Sequence, residues 1–205
     1  MKAHSGWAAL VVLGARDGAP VIAGRHRMEL VDASAEAWAR QPYHAAEHMP
    51  KSEAVALVAR AIEMARRGAV REVRAAAERA AVEGHDVAAA AVLMTDPMPG
   101  WSVEEILVVH FRMHKAEGMM FREALARATE ACGLALLSAP EKRLDAWAER
   151  ELATPARRLR RTIASLGRGA GPPWGKDQKD AALAAMVGLM SRGHSGRRAR
   201  SGKGA

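Results

Sequence analysis

The sequence predicts an α/β fold, with a mixed sheet (an antiparallel three-strand meander plus parallel strands) flanked by helices. Residues 7–31 hold short apolar or alternating runs around an Asp-Gly hairpin signal at 17–18, which is typical of a meander. Apolar segments of strand length at 87–94 and 134–137 enclose a long helical pattern, as in a strand–helix–strand crossover. Residues 177–190 repeat apolar side chains at helical spacing, so the chain is expected to close with an amphipathic helix.

The individual elements follow from local patterns. Trp7–Leu13 is a continuous apolar run, which favours a buried strand, and Arg25–Val31 alternates as a half-exposed strand does. The SVEE sequence at 102–105 is a capping box that predicts a helix start, and Gly133 follows its expected end at Cys132. The predicted strands are 7–13, 20–23, 25–31, 87–94 and 134–137, and the predicted helices are 52–83, 102–132, 141–153, 155–166 and 177–190.

Composition excludes several protein classes. With 49% hydrophobic and 26% charged residues among 205, the chain can bury a sizeable core, which argues against general disorder. No apolar run reaches the roughly eighteen residues of a membrane span, and no apolar signal core follows Met1, so we expect a cytoplasmic protein that does not enter membranes. The single cysteine, Cys132, excludes an internal disulfide and a cysteine-rich zinc module.

The formal net charge of +8 is concentrated near the end of the sequence. Residues 192–205 contain five basic side chains and no acid, in a segment rich in glycine and serine. This pattern predicts one folded domain over 1–191 and a basic, disordered tail over 192–205, which would bind polyanions non-specifically.

Three segments together resemble the ribonuclease H-like superfamily, and within it the RuvC resolvase and YqgF branch. His4-Ser5-Gly6 lies at the start of the meander, where RuvC-like proteins carry Asp-Pro-Gly. Residues 134–142 resemble the fifth strand and the start of the next helix of that family. The DQKDAAL sequence at 177–183 resembles its final helix, which presents two metal-binding carboxylates. The resemblance spans residues 3–190 and implies a ribonuclease H-like sheet.

The resemblance also implies a nuclease in which carboxylates hold two divalent cations that activate water against a phosphodiester. Asp177 and Asp180 take the places of the final carboxylate pair. Two positions depart from the family pattern, because His4 replaces the first-strand aspartate and the strand at 87–94 contains no glutamate; Asp96 lies just past its end. Two functions therefore stay open: a metal-dependent nuclease, or a catalytically inactive module that binds nucleic acid or protein.

Two sets of side chains at helical spacing are candidate metal ligands. Asp177 and Asp180 lie within about 60° on one helix face, although they could equally cap the helix and complement its dipole. His110, His114 and Glu117 also lie within about 60° of one another, on a stripe that is apolar at both ends. They could bind a metal ion, face a polar cleft, or leave Glu117 paired with a nearby base.

His4 could be a nitrogen ligand for zinc or manganese or a general base, or it could lie at a frayed edge.

In the long segment 32–50, Tyr43 could stack on a base and His44 could touch a phosphate, or the segment could fold back on the sheet. The arginine run at 157–168 could line a phosphate-binding groove with Arg25 and Arg27, or be a solvated face, and Trp174 could cover the site or anchor its loop.

These residues are predicted to meet in one pocket. Magnesium, manganese or zinc is the cofactor that such residues could hold, nucleic acid is the expected partner, and a homodimer is compatible with the sequence. The candidate catalytic residues are His4, His114, Glu117 and Asp180; the candidate metal ligands are His4, His110, His114, Asp177 and Asp180; and the candidate nucleic-acid contacts are Tyr43, His44, Arg157, Arg158, Arg161 and Trp174.

Overall fold

The computed structural model describes residues 1–32 and 37–201, with side chains described through Ser191. The chain is an α/β protein with a three-stranded antiparallel sheet and a two-stranded parallel sheet, both flanked by helices. The strands are β1 (Lys2–His4), β2 (Trp7–Arg16), β3 (Ala19–Glu29), β4 (Ala89–Met94) and β5 (Ala135–Pro140). The α-helices are α1 (Pro42–Ala46), α2 (Lys51–Val82), α3 (Val103–Leu107), α4 (His110–Ala131), α5 (Leu144–Leu152), α6 (Ala156–Ala170) and α7 (Lys176–Ser201), with short 3₁₀ turns at Ala37–Ala39 and Glu141–Arg143.

The two sheets meet at the first residue. The Met1 nitrogen donates to the Ala91 carbonyl at 2.6 Å, and the Leu93 amide donates to the Met1 carbonyl at 3.0 Å. This pattern places β4 beside β1, so the strands run in the spatial order β3-β2-β1-β4-β5. The carboxyl end of β5 therefore lies on the same side of the molecule as the start of α7, which packs across β2 and β4.

Alternating strand residues divide the core between the two faces of the sheets. Leu10 and Val92 pack with α2 and α4, whereas Val11, Ala91 and Leu93 pack with α5, α6 and α7. Because successive side chains of a strand point to opposite faces, a short apolar run such as β4 can pack against the helices on both faces of the sheet. The result is a helix–sheet–helix arrangement, with α2 and α4 on one side and α5 to α7 on the other.

Several element boundaries differ from the sequence predictions. The strands predicted at 20–23 and 25–31 form one strand, β3, with a register shift opposite Val12 and Leu13. The expectation that His4 begins the first strand is wrong, because an unpredicted strand, β1, precedes β2 and ends at His4. The helix predicted over 102–132 is divided, because Val109 takes extended backbone angles between α3 and α4.

Two helices continue past their predicted ends. Helix α6 runs to Ala170, and α7 runs past the predicted end at Met190 to Ser201. The basic segment is therefore helical as far as Ser201, and residues 202–205 lie outside the described residues. The division of the chain into a folded domain over 1–191 and a separate basic tail over 192–205 stays a prediction. Within residues 1–32 and 37–201, none of the helices combines the length and the apolar character needed to cross a bilayer.

Candidate functional site

An ion-pair network with a buried centre at Lys2 and Asp180 joins the first strand to the last helix. Lys2 projects from β1, Glu141 follows β5, and Asp177 and Asp180 lie in the first turns of α7. Two further cations, from α6 and from the start of α7, complete the network. We call this group the Lys2 cluster; it consists of Lys2, Glu141, Arg160, Lys176, Asp177 and Asp180.

The Lys2 ammonium group lies at the centre of the carboxylates. Its Nζ is 3.0 Å from Asp180 Oδ2, 3.2 Å from Asp177 Oδ1 and 3.4 Å from Glu141 Oε1, and its side chain is only 7% exposed. Burial lowers the pKa of Lys2, but hydrogen bonds to Asp180 and Asp177 and the charge of Glu141 outweigh burial, so the pKa is raised above its ordinary value. Lys2 is therefore a fixed positive charge in the middle of the carboxylate group.

Asp180 receives cations on both of its oxygens. Oδ2 lies 2.6 Å from Lys176 Nζ and 3.0 Å from Lys2 Nζ, and Oδ1 accepts from Arg160 Nη1 at 2.8 Å. Burial raises the pKa of Asp180, but the hydrogen bonds from Lys176, Lys2 and Arg160 outweigh it and bring the pKa down to about 2. Asp180 is thus ionised at neutral pH, and each of its oxygens already accepts from at least one cation.

His4 lies at the edge of the same network. Its Nε2 is 3.0 Å from Asp177 Oδ2, an ion-pair distance when the ring is protonated, although the angle is outside hydrogen-bond geometry. The imidazole stacks on Trp7 with ring centroids 4.3 Å apart, and the Arg27 guanidinium covers the Trp7 ring. The sequence therefore predicted correctly that His4, Asp177 and Asp180 share one region.

The Lys2 cluster does not fit a pair of magnesium ions. Magnesium needs several free oxygen ligands at short range, but here an ammonium group occupies the space between the carboxylates. Asp96, which follows β4, pairs at the surface with Lys142 at 3.4 Å. The alternative in which Asp177 caps α7 is also wrong, because α7 begins at Lys176 and Asp177 lies inside its first turn.

An open groove with a mainly basic lining lies over the Lys2 cluster. Its charged side chains come from the segment after β5, from α6 and from the start of α7; they are Glu141, Lys142, Arg143, Asp145, Arg160, Lys176, Lys179 and Asp180. Arg157, Arg158 and Arg161 are exposed on α6. Arg157 lies three residues before Arg160 and so on the same side of the helix, whereas Arg158 and Arg161 point about 100° or more away from Arg160. The groove therefore has five cationic side chains against three carboxylates, with Arg157 on the adjoining side of α6.

Other residues predicted to contact nucleic acid have structural partners. Arg25 donates to the carbonyls of Gly171, Pro172 and Pro173, so it clamps the loop before α7 rather than lining the groove. Trp174 donates its indole N–H to the Ile163 carbonyl at 3.2 Å and packs against the core beneath α6. These contacts favour the anchoring alternative for Trp174.

A second polar group lies where α1 meets α4. His110 and His114 project from the first two turns of α4, one turn apart, and His44 projects from α1 towards them. Glu117, which is 4% exposed, accepts from the Tyr43 and His44 amides and lies 2.9 Å from His44 Nδ1. We call His44, His110, His114 and Glu117 the histidine cluster.

The single pocket predicted from the sequence is thus replaced by two groups with different partners. Helix α4 reaches both, because Glu117 belongs to the histidine cluster while Arg122 donates to Glu141 at 2.6 Å. Tyr43 is buried among Ala54, Met113 and neighbouring apolar side chains, so its ring cannot stack on a base. Burial and the nearby Glu117 carboxylate raise the pKa of its phenol.

Sequence reasoning missed the central residue of each group. Lys2 is two residues before His4 in the same strand and therefore on the same face. A strand predicted to begin at Lys2 would have placed Lys2 beside His4. His44 was considered only as a phosphate contact, because its position in the long segment 32–50 gave no sign of its approach to α4. Comparison of the chain with protein-family models, curated proteins and solved structures finds no significant match.

Proposed function

We propose that this protein is a ribonuclease H-like, RuvC-type module that binds the phosphate backbone of nucleic acid without cleaving it. The observation that carries the proposal is the Lys2 ammonium group, which lies 3.0–3.4 Å from three carboxylates. Two of them, Asp177 and Asp180, are the carboxylates that the resemblance assigns to metal ions. A cytoplasmic location and a homodimer remain predictions.

Strand order supports the ribonuclease H-like part of the proposal. An antiparallel meander leads into two parallel strands, with β1 between β2 and β4. The final helix then brings Asp177 and Asp180 against β1, as the resemblance implies for the family's carboxylate pair. His4 ends β1 beside Asp177, at the position expected for the family's first aspartate.

Charge balance argues against hydrolysis by this group. With the direct partners of the Lys2 cluster included, four cations face four carboxylates and their formal charges cancel; the cations are Lys2, Arg122, Arg160 and Lys176, and the carboxylates are Glu141, Asp145, Asp177 and Asp180. A neutral network with an ammonium group among its carboxylates has little attraction for a divalent cation. Without such an ion, the family's means of activating water is missing.

The basic groove gives the chemistry for binding. Arginine and lysine side chains recognise phosphate through charge and, for arginine, paired hydrogen bonds. The groove carries five cations, and Arg157 is exposed on the side of α6 that carries Arg160. A phosphate backbone lying in this groove would pass directly over the Lys2 cluster.

A cleavage assay tests the loss of hydrolysis. The protein is incubated with branched, duplex and single-stranded DNA and RNA in magnesium, manganese or zinc, beside an Asp177→Asn variant. We expect no cleavage in any metal. Cleavage by the parent protein that disappears in Asp177→Asn would overturn the proposal and support the metal-dependent nuclease instead.

A binding assay tests the groove. The double variant Arg143→Glu/Arg157→Glu, which changes a groove-lining arginine and the α6 arginine on the Arg160 side, should weaken binding at least about tenfold and reduce the salt slope of the affinity by about two. The matched control is Arg67→Glu/Arg74→Glu, which makes the same charge change at exposed positions of α2. Equal losses in both variants, or no binding at low salt, would contradict a nucleic-acid surface at the groove and favour a protein-interaction module.

A further inference from the structure

The histidine cluster presents imidazole nitrogens towards one point between α1 and α4. One ring nitrogen from each of His44, His110 and His114 lies within 4.8 Å of the others. The ring centroids are 4.5–5.1 Å apart, and the Nε2 atoms of His110 and His114 are separated by 3.1 Å. We propose that these three histidines bind a divalent transition-metal ion of the zinc type, a site independent of the basic groove.

The spacing of the nitrogens suits such an ion. Zinc–imidazole bonds of about 2.0–2.1 Å in tetrahedral geometry set ligand nitrogens about 3.3 Å apart. The His110–His114 nitrogen pair is already at 3.1 Å, and the other nitrogens are within 4.8 Å, a gap that small rotamer changes can close. Histidines at i and i+4 of α4 face the same side, which is why they can share one ion.

Glu117 prepares His44 for this role. Its carboxylate lies 2.9 Å from His44 Nδ1, so that nitrogen carries a proton and donates it to the carboxylate. The opposite nitrogen, Nε2, then keeps a free lone pair, and it is buried without a hydrogen-bond partner among the described residues. A carboxylate that holds the far nitrogen of a ligand histidine fixes the ring and raises its basicity, which is the usual outer support of a metal-binding histidine.

The donor set decides the class of ion. Three neutral imidazoles favour zinc or a neighbouring late transition metal, whereas magnesium and calcium prefer oxygen ligands. His110 and His114 are exposed, so an ion bound by the three rings would keep a fourth position open to water or to a further ligand.

Metal titration tests the site. Untagged, chelator-treated protein is titrated with zinc by calorimetry and with cobalt by visible absorption, which reports tetrahedral nitrogen ligation directly. We expect one ion per chain, with loss of the cobalt band and at least a tenfold loss of affinity in His114→Ala. Glu117→Gln should retain the site but weaken zinc binding about 10–100-fold.

The matched control is His26→Ala, which removes an exposed histidine of β3 outside the cluster and should leave zinc binding unchanged. Because His110 and His114 are both exposed, His110→Ala is a second variant expected to fold normally, which circular dichroism checks. The proposal is overturned if the parent protein binds no zinc, or if His110→Ala and His114→Ala bind it as tightly as the parent does.

Discussion

Asp180 is the side chain on which the cations of the Lys2 cluster converge, and Asp180→Asn should lower the free energy of unfolding at neutral pH. The variant keeps the size of the side chain but removes the charge that Lys2, Arg160 and Lys176 contact. Because Asp180 is only 4% exposed, solvent does little to screen this loss.

The magnitude follows from the pKa of the carboxyl. The folded protein lowers the pKa of Asp180 from 3.8 to about 2. Each unit corresponds to about 1.4 kcal/mol, so the ionised carboxylate stabilises the fold by about 2 kcal/mol. For a chain of this length we expect a fall in Tm of about 5 °C or more.

The pH dependence has a definite sign. The pKa of Asp180 is lower in the folded than in the unfolded chain, so its stabilisation is complete above pH 3.8 and is lost as the pH falls towards 2. The parent protein should therefore lose about 2 kcal/mol from this group between pH 5 and pH 2, a loss that Asp180→Asn cannot show.

Urea unfolding followed by circular dichroism at several pH values measures both effects. Asp96→Asn is the control, because Asp96 and its partner Lys142 are both well exposed and their pair should contribute less than about 1 kcal/mol. If Asp180→Asn unfolds at the same urea concentration as the parent, or if the two stability curves run parallel down to pH 2, the ion-pair network does not stabilise the fold as argued.

Three other predictions concern packing, ionisation and the basic segment. Gly68→Ala should lower Tm and cost about 1–3 kcal/mol, because a Cβ at this position of α2 would overlap the Leu30 carbonyl; thermal unfolding measures it. The phenol of Tyr43, the only tyrosine, should titrate above its ordinary pKa of 10.0 in the folded protein, which absorbance at 295 nm reports without ambiguity. Deleting 192–205 should reduce the salt dependence of nucleic-acid affinity, measured by filter binding, and leave Tm unchanged.

Each of the three has a clear contrary result. Gly169→Ala is the control for Gly68→Ala, since nothing lies near its added Cβ in α6, and equal Tm changes in the two variants would contradict the packing argument. A Tyr43 titration that is the same in urea and in buffer would contradict burial of the ring. An unchanged salt slope after the deletion would exclude the basic segment as a phosphate contact.

Local patterns in the sequence correctly predicted the elements with strong periodicity. Alternation and the Asp-Gly turn anticipated the antiparallel meander, and the apolar run at 87–94 anticipated β4. The short β1 was missed because a three-residue strand has too few positions to show alternation. The break between α3 and α4 was missed because positions 108 and 109 hold valines, rather than the glycine or proline that usually marks a helix end.

The sequence by itself determined the α/β class and placed Asp177 with Asp180, and His110 with His114, because helical spacing alone puts each pair on one face. Only the tertiary structure decided which other side chains lie against each pair. Lys2 reaches Asp180 from 178 residues away, and Glu117 holds His44 from 73 residues away. Such contacts depend on how strands and helices pack, and no local pattern encodes that packing. The same carboxylates that suggested a metal centre are therefore held by a lysine, while His44 meets His110 and His114 at the first turns of α4.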